Sequence, residues 1–284
     1  VLRGAVVVLD EGHNISGVCM DNGSASISVT DIANGVDECD RSAGLGDDVF
    51  IDKKHLMTLK SILLDLEKVI ETERERDGPG RMARDILRKA KLTFATSLVI
   101  DKFVEQVIDV LEGSEVKANG LKKCRLFFKR VFGGENEVEL EKREAGYSTC
   151  LEGRKQGTPK TLSFFCLTPS IGIRQLVDRG TRNVMVVSGT LSPLEVFEQE
   201  SGVRFHVQHS GGHVVPKEQI FVASSGVGIR RKPLKNTYDR REDPEQYKEL
   251  GLTIVSAIKT APGGVLVFFP SYGNMEECVR RWGG

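Results

Sequence analysis

Neither sign of charge is in excess: Lys plus Arg and Asp plus Glu stand at 40 each among 284 residues. No overall field attracts a polyanion, so any nucleic-acid contact must be a local basic surface. There is no run of about 18 apolar residues and no charged-then-apolar leader, which argues against a helical membrane span and a secretory signal. The chain reads as intracellular. Its six cysteines, Cys19, Cys39, Cys124, Cys150, Cys166 and Cys278, are scattered without a C-x-x-C pair. That fits reduced thiols better than a disulfide framework or a four-cysteine metal site. No phosphate loop G-x-x-x-x-G-K-[ST] occurs anywhere, so the lysine and hydroxyl of such a nucleotide grip are missing.

What is present begins at residue 5. Ala5-Val6-Val7-Val8-Leu9 is a continuous apolar run that reads as a buried, parallel strand, and Asp10-Glu11-Gly12-His13-Asn14 follows at its C-terminal end. Ligands bind at such ends in open α/β sheets. An Asp there can hold Mg²⁺ on nucleotide phosphates and a Glu beside it can orient water. The same residues fit a plain strand end, with Asp10 capping, Glu11 in solvent and His13 at the rim.

Residues 16–30 read as a helix leading into a weak strand, and 31–40 as a short helix before a Gly- and Asp-rich loop. From Asp52 the spacing turns helical, with Leu56, Leu59, Ile62, Leu63, Leu66, Val69 and Ile70 on one face and the helix ending near 77–80. Further amphipathic patterns run through Met82, Ile86 and Leu87, across 97–111, and across 121–132. The last sets Phe127, Phe128, Val131 and Phe132 against Lys122, Lys123, Arg125, Lys129 and Arg130. Lys122, Lys123, Lys129 and Arg130 are candidate phosphate contacts or a solvated face around a Phe-rich stripe. Residues 133–160 read as a loop or frayed hairpin that closes a helical insertion of about 80 residues.

An α/β pattern then resumes: strand 161–167, helix 171–177 and strand 183–187, followed by Ser188-Gly189-Thr190-Leu191-Ser192-Pro193, a turn whose hydroxyls face the strand ends or merely a turn capped by Ser192. A second unit begins near 211–217, with strands at 220–223 and 264–269, a helix at 247–259, Pro270-Ser271-Tyr272, and a helix at 275–282. His206, His209 and His213 read as solvated loop histidines rather than a zinc site.

The order of these motifs is more specific than any one of them. D-E-G-H after the first strand, L-S-F-F-C-L-T-P-S after the insertion, V-V-S-G-T-L-S-P, and F-F-P-S-Y-x-x-M-E at 268–276 together resemble the iron–sulfur superfamily 2 DNA helicases of the xeroderma pigmentosum group D type, in particular the branch of telomere elongation regulators. That resemblance implies an α/β fold: a partial RecA-like motor domain at 1–47 and 161–210, a mostly helical arch insertion at 48–160, and the start of a second RecA-like domain at 215–284. It implies Mg²⁺ (carried by ATP) on Asp10, water activation by Glu11, and coupling through His13 to Ser188, Gly189 and Thr190. Arg241, Ser271 and Tyr272 would serve the second motor.

The cofactors implied are Mg-ATP and, in a full-length member, a 4Fe-4S cluster whose ligands would lie upstream of Asp10, with none in this chain. The partners implied are DNA, as single strands and junctions, and ATP, with no membrane, and the location implied is nuclear. On this reading the chain is the catalytically incomplete middle of a helicase moving 5′ to 3′ in DNA repair or telomere maintenance. The alternative is a truncated or degenerate product that serves only as a DNA-binding or protein-interaction module. Without the phosphate loop, the acid pair is half a catalytic site.

Overall fold

The computed structural model describes residues 2–45, 52–153, 158–212, 214–235, 237 and 243–283. In chain order the elements are β1 (Val6–Leu9), α1 (Ile15–Gly23), β2 (Ala25–Ser28), α2 (Val29–Ala43), α3 (Lys53–Thr72), β3 (Arg76–Pro79), α4 (Arg81–Lys89), α5 (Phe94–Gly113), α6 (Asn119–Val131), α7 (Glu137–Glu144) and β4 (Tyr147–Glu152). They continue with β5 (Thr161–Cys166), α8 (Ser170–Asp178), β6 (Asn183–Val186), α9 (Leu194–Ser201), α10 (Pro244–Thr260) and α11 (Tyr272–Gly283). The chain divides into two compact units, Val1–Ser210 and Gly211–Gly284.

In the first unit one sheet runs β2-β5-β4-β3, each pair antiparallel, with Ala25 opposite Phe164, Tyr147 opposite Cys166 and Arg76 opposite Leu151. Strand β4 buries Tyr147, Thr149 and Leu151, the period of two that a half-buried strand requires. Tyr147 stacks on Phe164 with ring centroids 4.2 Å apart. One core joins this sheet to the helices: Ile27 and Phe164 meet Ile32, Leu59, Leu63, Leu66, Ile86, Leu111 and Phe127. Burying each such side chain contributes about 1.5–3 kcal/mol relative to exposure.

The helices start where their caps dictate. Ser28 and Asp31 form a reciprocal capping box on α2, Thr93 and Thr96 do so on α5, and Asp52 and Asn136 cap α3 and α7. Helix α6 has no cap of its own, since Ala118 precedes it. Its first N–H groups, on Gly120 and Leu121, donate instead to the carboxylate of Glu38 on α2, at 3.0 and 2.7 Å. At its other end the Arg143 guanidinium of α7 donates to the carbonyls of Arg130 and Gly133. Both contributions complement the helix dipole. Glycine allows this approach, because a Cβ on Gly120 would lie 2.5 Å from the backbone nitrogen of Gly35.

The second sheet of this unit is only the parallel pair β1–β6, with Val6 opposite Asn183 and Leu9 opposite Val186. Val6 and Val8 remain 53% and 60% exposed. The run that reads as a buried strand is therefore a strand with open faces.

Other expectations also change. Within residues 133–160 the structure forms α7, capped by Asn136, and β4, which pairs antiparallel with β5, so the hairpin alternative holds in part and the loop alternative does not. The second helical pattern is preceded by the short strand β3, and the helix expected at 31–40 extends from Val29 to Ala43. Ser192 does not cap the following helix, which begins at Leu194 after Pro193.

In the second unit, α10 and α11 pack through Tyr247 and Cys278, and Trp282 Nε1 donates to the Tyr247 carbonyl at 2.9 Å. The strands expected at 220–223 and 264–269 are not formed. No described segment of this unit runs beside them to complete a ladder, and Phe221 and Phe268 stand 90% and 86% exposed. Among the described residues no helix is long and apolar enough to cross a membrane.

Candidate functional site at the end of the parallel strand pair

Strand β1 delivers Asp10 and Glu11 to its C-terminal end, where the chain turns sharply into a 3₁₀ turn over Gly12–Asn14. Asp10 steadies the turn by accepting the Glu11 N–H at 2.8 Å through Oδ1. Glu11 adopts a left-handed backbone, φ 51, which costs a non-glycine residue about 1 kcal/mol and re-aims the chain. Gly12 then donates its N–H to the Val187 carbonyl at 2.9 Å. A Cβ at Gly12 would stand 2.4 Å from Val186 Cγ1 and 3.3 Å from that carbonyl, so glycine serves a close approach between the two strand ends.

The turn places His13 Nδ1 2.9 Å from Ser188 Oγ and 3.4 Å from Glu11 Oε2. A proton on Nδ1 would be donated to Ser188 Oγ; without it the serine hydroxyl donates. Ser188 Oγ also accepts the Thr190 N–H at 3.2 Å, so His13, Ser188 and Thr190 form one chain of contacts. Gly189 lies between them, and no atom stands within 4 Å of where its Cβ would be. The structure thus brings together Asp10, Glu11, His13 and Ser188-Gly189-Thr190.

The donor set can be tested against Mg-ATP. Both carboxylates are exposed, and Asp10 Oδ2 has no protein partner among the described residues, which suits a cation held by one carboxylate and substrate phosphates. The phosphate grip is lacking in the sequence, so the fit covers only the metal half. An iron–sulfur cluster does not fit. Among the described residues no three His, Cys, Asp or Glu converge on a point. Burial, then Asp40 and Glu38, pushes the Cys39 thiol up to about 12, and burial also raises Cys124, far from the thiolates a cluster needs.

The remaining candidates sit elsewhere. On α6, Lys123 pairs with Asp31 at 2.8 Å, Lys129 with Asp101 at 3.3 Å, and Lys122 with Glu112. Arg130 is half-buried, its Nε without a hydrogen-bond partner among the described residues. Ser271 caps α11 by accepting the Asn274 N–H at 3.2 Å, and Tyr272 is exposed. Arg241 lies outside the described residues, as does His213; His206 and His209 stand in an irregular segment. The sequence reading passed over Glu38 and the Val187 carbonyl. Glu38 carried a signal, an acid in line with Gly35 and Ser42 on the buried face of α2.

Residues 28–150 match the family model described as RTEL1 helicase, ARCH domain. The chain is 28% identical over 330 residues to the regulator of telomere elongation helicase 1 homolog of Anopheles gambiae, covering 99% of this chain and 33% of that protein. It is 29% identical over 335 residues to regulator of telomere elongation helicase 1 of Rattus norvegicus, covering 99% and 26%. The chain spans about a third of the length of the curated relatives it matches. Among solved structures it resembles an XPD helicase, with a TM-score of 0.46 and 18% identity over 99% of this chain and 44% of that one. It also resembles Xpd4 of S. tokodaii, with a TM-score of 0.45 and 17% identity over 98% and 50%. Residues 28–150 are thus similar to the ARCH domain of RTEL1 helicases, and nearly the whole chain is similar to proteins named regulator of telomere elongation helicase 1.

Proposed function

We propose that this chain is the arch-bearing part of an ATP-dependent DNA helicase that moves 5′ to 3′ on single strands and junctions and serves repair or telomere maintenance in the nucleus. The observation that carries this reading is the His13–Ser188 hydrogen bond, which ties the acid pair to the S-G-T turn across 175 residues of sequence. In the proposed division, residues 1–47 and 161–210 belong to a first motor domain, 48–160 to the arch and 215–284 to a second motor domain. The shared core from Ile27 to Cys166 favours counting α2 and β5 with the arch.

In this role Asp10 would hold the Mg²⁺ of a bound nucleotide through its free oxygen, and Glu11 would accept a hydrogen bond from a water and orient it. Bound Mg-ATP would supply the phosphoryl group and the charge that this pair manages. His13 would pass any displacement of the Glu11 turn to Ser188 and Thr190, since a hydrogen bond of 2.9 Å does not stretch freely. Arg241, Ser271 and Tyr272 would belong to the second motor, and Lys122, Lys123, Lys129 and Arg130 would meet phosphates by exchanging their present contacts. A 4Fe-4S cluster would be held by cysteines outside this chain.

The test uses the longer protein that supplies a phosphate loop. Glu11→Gln should abolish DNA-stimulated ATP hydrolysis and preserve nucleotide binding; hydrolysis that survives removes the assigned role. The present chain alone should show no turnover, and turnover lost with Asp10→Asn would overturn that expectation. The closed arch core favours a second reading, a module that binds DNA or protein without hydrolysis. That reading predicts strand binding indifferent to Asp10 and Glu11.

A further inference from the structure

Helix α10 of the second unit holds a small hairpin against its N-terminal half. Residues 226–235, G-V-G-I-R-R-K-P-L-K, fold back through the Val227–Pro233 bridge. Three bonds close it: Leu234 N–H to Gly226 O at 2.9 Å, Gly228 N–H to Lys232 O at 2.8 Å and Arg231 N–H to Gly228 O at 2.9 Å. The hairpin is fixed to the helix by charge. Buried Glu249 accepts the Arg230 N–H at 2.7 Å and its Nε–H at 2.6 Å, Glu245 pairs with Lys232, and the Thr253 hydroxyl accepts the Ile229 N–H at 3.3 Å. A Cβ on Gly228 would lie 2.3 Å from Glu249 Oε1, so glycine is what lets the hairpin seat this closely.

Two of the hairpin's four cations are thus neutralised by α10. The other two, Arg231 and Lys235, are exposed and have no acidic partner among the described residues. Arg231 moreover occupies the tip with φ 60, a conformation that glycine or asparagine would adopt without strain. Elsewhere, three of the four candidate cations on α6 are paired with Asp31, Asp101 and Glu112. A strained, unpaired arginine on a firmly anchored turn is what a presented anion contact requires.

We propose that the hairpin at 226–235 is a nucleic-acid contact, in which Arg231 and Lys235 bind backbone phosphates of a single strand while Arg230 and Lys232 lock the presenting pose. The choice of nucleic acid as the polyanion rests on the helicase reading. Phosphate contacts of this kind position a strand without reading its sequence, and each releases counterions.

The experiment is fluorescence anisotropy of a labelled oligo-dT on the full 284-residue chain across a salt series. Arg231→Gly suits the left-handed tip, so thermal melting should show a fold at least as stable as the parent while the charge is gone. Combined with Lys235→Ala it should weaken binding about tenfold and reduce the slope of log K against log salt by about 1.4, from two phosphate contacts on a single strand. Arg231→Lys should keep most of the binding. The proposal is overturned if the double variant keeps the parent's affinity and slope, if the parent chain binds no strand at low salt, or if polyglutamate competes as well as DNA at equal charge. Absence of DNA-stimulated ATP hydrolysis in an unmutated longer protein that joins this chain to a phosphate loop would remove the helicase reading and leave this salt-slope result standing, so the two failures are distinguishable.

Discussion

The body built on the four-stranded sheet and the strand pair that carries the acids come from the same chain with opposite degrees of closure. In the body, four antiparallel strands and α2 to α7 enclose one core, with Phe127, Leu63 and Phe164 out of solvent. In the pair, two parallel strands hold each other while Val6 and Val8 face outward. Antiparallel strands with helices on one face can close locally, whereas parallel strands are normally covered on both faces and flanked by others. Stability and the candidate chemistry therefore reside in different places.

The comparison is sharpened most by core truncation. Phe127→Ala should cost about 3–5 kcal/mol and abolish cooperative melting of the body, while Val8→Ala should cost well under 1 kcal/mol. Similar losses at the two sites, measured by denaturant titration with intrinsic fluorescence and circular dichroism, would break it. Next is Glu38→Ala, which strands the Gly120 and Leu121 N–H groups at a buried helix end and should lower stability by about 1–3 kcal/mol. Amide exchange should show α6 opening first; unchanged protection there would mean that water replaces the cap at no cost.

Acid should act on the body more gently. Burial alone would raise Asp31 and Asp101, but the hydrogen bonds from Lys123 and Ser28, and from Arg125, outweigh it and hold both carboxyls below their usual range. Their contribution is complete above the ordinary carboxylate value of about 4 and is lost as pH falls through the lower folded values. Glu144, raised by burial, acts in the opposite sense because protonation favours its folded environment. Melting midpoints should fall below about pH 4, and Lys123→Ala with Arg125→Ala should flatten that dependence. Smallest is Ser188→Ala, which removes one hydrogen bond at an open strand end and should change stability by less than about 1 kcal/mol. On the proposed helicase reading, its effect would appear instead as a loss of coupling between ATP hydrolysis and strand movement.

Helices α3, α5 and α6 are legible in the sequence because their apolar residues recur at three and four and their buried faces are continuous. Strand β3, R-D-G-P, is not, since none of its residues favours a strand and only pairing with β4 makes it one. Strand β4 had a signal in the alternation of Tyr147, Thr149 and Leu151, hidden by the charged residues around it. The run at 264–269 has the composition of a strand but no partner among the described residues of its unit, and composition cannot supply a ladder. At the candidate site, the residue types at 10–13 and 188–190 are legible, whereas the left-handed turn at Glu11 that aims His13 at Ser188 is a tertiary result.

The capping of α6 by Glu38 has a consequence for the order in which the chain organises. The two partners are 82 residues apart, so the first turn of this helix is completed only after a large loop has closed. Nascent chain that has synthesised α6 without seating it on α2 would leave that turn frayed and its Phe-rich face open. Docking of the two helices, rather than formation of either one, is then what completes the first turn of α6.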